Sequence, residues 1–75
     1  MNIEFSRHAL RRIKLYGISE SDVKKIIAKS KKLNKGYNEI IEPVPNFKYP
    51  IKVVLTREDD YLTIITAYPL KRGLK

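Results

Sequence analysis

The sequence has no cysteine, no tryptophan, one histidine, one methionine, three glycines and four prolines. Without cysteine there is no disulfide, no thiolate metal ligand and no cysteine nucleophile. A single histidine leaves no ligand set for a transition metal, so neither a metal nor a cofactor is expected. No apolar run approaches the ~20 residues that cross a bilayer, and the first residues lack the apolar segment of a secretory signal. A cytosolic protein with no membrane contact is therefore expected. Acid is also scarce, with eight Asp and Glu against sixteen Lys and Arg, a net charge of +8 over 75 residues. Such an excess points to a polyanionic partner, either RNA or an acidic protein. A thermophile-like compositional bias is the competing explanation.

The excess is uneven: residues 1–35 hold ten basic and three acidic side chains. A chain this short makes one domain, 1–75, with a single thin core and no room for an enclosed cofactor cavity. Asn2–Phe5 alternates polar and apolar residues, as in a short strand, and Ser6 is placed to cap a helix that starts at Arg7. Ala9, Leu10, Ile13 and Tyr16 recur at helical spacing, and Gly17 supplies a left-handed stop. Arg7, Arg11 and Lys14 take the solvated side of that helix. His8 and Arg12 share one flank at a four-residue spacing.

Ser19 and Asp22 form a capping box for a second helix, with Ile18 and Val23 as its hydrophobic staple. Val23, Ile26 and Ile27 make the buried stripe. Lys24, Lys25, Lys29, Lys31 and Lys32 make a basic outer face expected to run on to Leu33–Gly36. From Tyr37 the period changes to that of strands. Tyr37–Glu42 reads as a strand stopped by Pro43-Val44-Pro45. Ile51–Arg57 and Tyr61–Tyr68 read as a hairpin joined by Glu58-Asp59-Asp60. In the last strand strict alternation puts Leu62, Ile64, Thr66 and Tyr68 on one face. The expected fold is α+β: two N-terminal helices on one face of a three- to four-stranded antiparallel sheet, in the order β-α-α-β-β-β. The other sheet face, with Lys52 and Thr63, is expected to be partly solvated.

His8-Ala9, Arg12 and Gly17-Ile18-Ser19, together with Leu62–Pro69 (LTIITAYP), resemble a family of short uncharacterised domains. Its pattern is HAxxRxxxxGIS near the start and an hhTvY strand at the end. In element order that family is similar to the RelE-like toxin ribonucleases and to the wider barnase/colicin-type nuclease fold. The resemblance implies a metal-independent endoribonuclease toxin, acting on RNA that is free or on the ribosome, with a small acidic antitoxin as partner. It also implies a cleft lined by His8, Arg12, Thr66 and Tyr68.

The chemistry suits those residue types. Histidine, with an ordinary pKa of about 6.5, can give or take a proton near neutral pH, and arginine offers a permanently charged fork to phosphoryl oxygens. Tyr68 could move a proton or stack on a base, and Thr66 could hydrogen-bond a phosphate. Lys24, Lys25, Lys29, Lys52, Lys71 and Arg72 would supply phosphate affinity without sequence information. The structural alternatives are a capping role for His8, an Arg12 ion pair with Glu39 or Glu42, and a core-edge position for Tyr68. At the level of function, the alternatives are a non-catalytic RNA- or ribosome-binding module of the same fold, or a protein-interaction domain that pairs an exposed sheet edge.

Overall fold

The computed structural model describes residues 2–30 and 33–70. Its elements are β1 (Asn2–Phe5), α1 (Arg7–Tyr16), α2 (Glu20–Lys29), β2 (Gly36–Glu42), β3 (Ile51–Glu58) and β4 (Tyr61–Pro69). The fold is α+β, with both helices on one face of a four-stranded sheet ordered β1-β4-β3-β2. Strands β2, β3 and β4 form an antiparallel meander, but β1 runs parallel to β4, from Asn2 beside Tyr61 to Phe5 beside Ile64. The sheet is thus mixed where an antiparallel one was expected. Four alternating residues look the same in either direction, so β1 carries no local signal for its orientation. Among the described residues no helix is long and apolar enough to cross a membrane.

Local chemistry sets the helix boundaries. The Ser6 hydroxyl accepts from the Ala9 N–H at 3.0 Å and opens α1, and Gly17 closes it at φ 72°, a left-handed conformation that glycine adopts without steric cost. Ser19 and Asp22 make the reciprocal capping box at the start of α2. This second helix is shorter than its lysine run suggested. The Ser30 N–H bonds the Ile27 carbonyl, the backbone turns extended at Ser30, and Leu33 returns to pack against the core. Lys31, Lys32, Lys71 and Arg72 lie outside the described residues.

Ala9, Ile13, Ile18, Val23, Ile26 and Ile27 pack from the helical layer onto Ile40, Ile51, Val53, Leu55, Leu62, Ile64 and Ala67 of the sheet. The burial of Ala67 in this layer exposes a break in β4. Leu55 pairs with Ile64 but Val54 pairs with Thr66, so Ile65 is an extra residue, a β-bulge. A one-residue insertion inverts the alternation beyond it. Leu62 and Ile64 face the helices as expected, but so does Ala67, while Thr66 and Tyr68 turn to the open face. The expected single face Leu62/Ile64/Thr66/Tyr68 is therefore divided at the bulge.

Ser6 ties α1 to this bulge: its N–H donates to the Ile64 carbonyl at 2.9 Å and its hydroxyl to the Ile65 carbonyl at 3.0 Å. Ser6→Ala removes the cap and the cross-link together, and is expected to cost about 1–2 kcal/mol in urea unfolding. A loss below about 0.3 kcal/mol would show that neither bond holds the helix start in place.

Candidate functional site

The open face of the sheet carries the polar chemistry. Cross-strand register aligns Glu4 with Thr63, Thr63 with Thr56, Thr66 with Val54, Tyr68 with Lys52, and Glu39 with Val54. Paired residues share a face, so Glu4, Tyr37, Glu39, Lys52, Thr63, Thr66 and Tyr68 all project away from the helices. At its centre the Lys52 ammonium lies 3.2 Å from Glu39 Oε1, and the Tyr37 hydroxyl donates to Glu39 Oε2 at 2.8 Å. The Tyr61 hydroxyl donates to the Glu4 carboxylate at the far side.

These contacts shift the titrations. The Tyr37 hydrogen bond and the Lys52 ammonium hold the Glu39 carboxyl below its ordinary value. Glu39, with the Tyr68 phenol adding, raises Lys52, and the bond to Glu39 raises the Tyr37 phenol. A depressed carboxyl contributes stability above its unfolded pKa and loses it as pH falls through the folded one. A raised lysine contributes below its unfolded pKa and loses it as pH rises through the folded one. Glu39 is exposed and Lys52 half-buried at the surface, where solvent screens the pair, so these contributions are small. Tyr37→Phe removes the leading cause at Glu39, and its carboxyl carbon, followed by NMR, is expected to titrate at higher pH. An unchanged midpoint would mean that the phenol does not hold that carboxylate.

Thr66 adds a different signal. Its hydroxyl oxygen is buried and has no hydrogen-bond partner among the described residues. Buried hydroxyls are nearly always paired, and among the described residues Thr66 is the exception. One residue earlier in the strand, the bulge carbonyl of Ile65 holds Ser6, and His8 lies in the first turn of α1. That turn contains no acidic residue, and its peptide dipoles present partial positive charge.

The residues singled out from sequence are brought together in part. Thr66, Tyr68 and Lys52 share the open face, and the Ser6 bonds set the start of α1, with His8, beside the bulge that carries Thr66. His8 is exposed and makes no hydrogen bond or ion pair among the described residues. Arg12 is half-buried and donates to the Tyr16 hydroxyl at 3.3 Å, while Glu39 is taken by Lys52; no Arg12 ion pair with Glu39 or Glu42 forms.

Lys24, Lys25 and Lys29 stand apart, exposed on α2 in the opposite layer. Lys25 and Lys29 flank a groove of about 300 Å³ with Ile26 and residues 43–46. Tyr37 and Glu39 were missed as members of the open-face cluster. Alternation along β2 was the available signal, since it puts residues 37, 39 and 41 on one face.

The class defined here is a small two-layer α+β domain whose first helix is docked on a bulged strand beside a polar, tyrosine-bearing sheet face. The chain belongs to the DUF4258 family, described as a domain of unknown function, whose family model matches residues 5–69. No curated protein and no solved structure matches it.

Proposed function

We propose that this chain is a small, metal-independent endoribonuclease whose site lies at the bulge of β4, with the start of α1 on one side of the strand and Thr66 and Tyr68 on the other. The observation that carries the reading is the bulge. It turns Thr66 and Tyr68 onto the face of Lys52, and through Ser6 it anchors the turn that bears His8. The β-α-α-β-β-β order and the helices on one sheet face support the likeness to RelE-like toxins. Fold likeness alone carries no activity, so the chemistry rests on these side chains.

In the proposed reaction the 2′-oxygen attacks the adjacent phosphorus and the bond from phosphorus to the 5′-oxygen breaks. The products are a 2′,3′-cyclic phosphate and a free 5′-hydroxyl. One proton leaves the 2′-hydroxyl and one is delivered to the 5′-oxygen, and His8 serves one of these transfers. Lys52, held by Glu39, balances charge on the phosphoryl oxygens, and the exposed edge of Tyr68 receives a base. The protein acts on RNA in the cytoplasm, free or on the ribosome, and a small acidic antitoxin neutralises its basic surface.

The test is incubation of the purified chain with a single-stranded RNA in excess chelator. Fragments ending in a 2′,3′-cyclic phosphate are expected, and intact RNA would contradict the reading. The separate position of Lys24, Lys25 and Lys29 favours a second reading, an RNA-binding module that works through α2. It predicts salt-dependent RNA binding that is lost when those three lysines are neutralised and is unchanged in His8→Ala.

A further inference from the structure

The sheet has one long edge without a partner. β2 lies last in the order β1-β4-β3-β2 and pairs with β3 at all seven positions, Gly36 to Glu42, without a register break. Among the described residues no strand lies on its other side. Open edges are normally blunted by lysine, proline, a bulge or short length. β2 has none of these: residues 36–42 contain no Lys, Arg or Pro, in a chain with sixteen basic residues. The other edge is protected, since β1 has only four residues. Tyr37 is 60% exposed and Ile41 52%, both on the open face of β2.

We propose that β2 pairs antiparallel with β2 of a second copy of this chain, about a two-fold axis through Glu39, to make one continuous eight-stranded sheet. The strand is self-complementary in that register. Tyr37 of each copy falls opposite Ile41 of the other, an aromatic against a β-branched side chain at both ends of the junction. Asn38 falls opposite Ile40 on the helix side. Axes through Asn38 or Ile40 instead place Glu39 opposite Tyr37 or Ile41, and one of the two apolar side chains loses its cross-strand partner.

Electrostatics permit contact at this edge. Two chains of net charge +8 repel, but this strand has no cation of its own. The Glu39 carboxylates that meet at the axis are each neutralised by Lys52 at 3.2 Å. A closed two-fold contact also uses up both free edges, so assembly stops at two copies. The dimer sets the two open faces side by side. It goes beyond the RNA-cleavage reading, and either can fail without the other.

Sedimentation velocity of the full chain across a concentration series tests it. Wild type is expected to form a species of twice the 8.8 kDa chain mass. The double variant Tyr37→Lys/Ile41→Lys, which sets lysine against lysine at both ends, is expected to sediment as a single chain. Leu10→Lys/Leu15→Lys on the exposed side of α1 is expected to remain dimeric. Amide exchange guards against misfolding: amides of residues 36–42 are expected to slow as wild-type concentration rises, with no such change in the double variant. Wild type that stays single at every concentration, a dimer that survives Tyr37→Lys/Ile41→Lys, or a dimer lost with the α1 variant would each overturn the proposal.

Discussion

Leu55→Ala is expected to lower the unfolding free energy by about 2–5 kcal/mol, read as a drop in the urea midpoint with little change in slope. Leu55 is fully buried in the middle of β3 and pairs with Asn38 on one side and Ile64 on the other. Its side chain sits in the helix-facing layer with Ile51 and Val53, below the helical residues of the core. Truncation removes transfer free energy and leaves a cavity that a thin single-layer core cannot close by relaxation. A domain of this size has net stability of only ~5–10 kcal/mol, so the variant should be marginal near physiological temperature. Leu15→Ala is the matched control: Leu15 is 70% exposed, and its loss should stay within about 0.5 kcal/mol. Equal losses at the two positions would mean that the core is not where the sheet places it.

His8→Ala is expected to reduce RNA cleavage by ~10²–10⁴-fold, the usual contribution of a positioned general acid or base. Stability should barely change, because His8 is exposed and forms no hydrogen bond among the described residues. That separation makes the variant informative: a fall in rate with an unchanged melting curve points to chemistry. A pH profile adds a second readout. The limb of the wild-type profile that comes from the proton transfer at His8 should vanish in His8→Ala. Lys52→Met is expected to weaken substrate binding while leaving the limb in place. Equal cleavage by wild type and His8→Ala would remove histidine from the reaction.

The features legible in the sequence are the local ones. Ser6, Gly17, Ser19 and Asp22 announce the helix ends because each acts on backbone within four residues of itself. The stripes Ala9/Ile13 and Val23/Ile26/Ile27 come from helical spacing alone. Features set by pairing between distant segments were not legible. The direction of β1 depends on β4, about sixty residues away in the chain, and the bulge at Ile65 is an extra residue that only the β3 register reveals. Strict alternation therefore placed Thr66 and Tyr68 with Leu62 and Ile64.

The candidate site divides in the same way. The shared flank of His8 and Arg12 is a property of one helix and could be read directly. The Tyr37, Glu39 and Lys52 cluster needs β2 aligned on β3, and the seating of the α1 start beside the bulge needs the long-range bonds of Ser6. Lys24, Lys25 and Lys29 of α2 stand on the helical layer and Lys52 on the far face of the sheet, a separation that composition does not reveal.

The most direct test of the central claim, that the start of α1 and the bulged open face form one phosphodiester site, is an amide and side-chain NMR titration. The ligand is a short RNA carrying a 2′-deoxy residue at the scissile position, so that it binds without being cut. Shifts are predicted to concentrate on Ser6, His8, Lys52, Thr66 and Tyr68. Shifts confined to Lys24, Lys25 and Lys29 on α2, with the His8 and Thr66 signals unmoved, would contradict it.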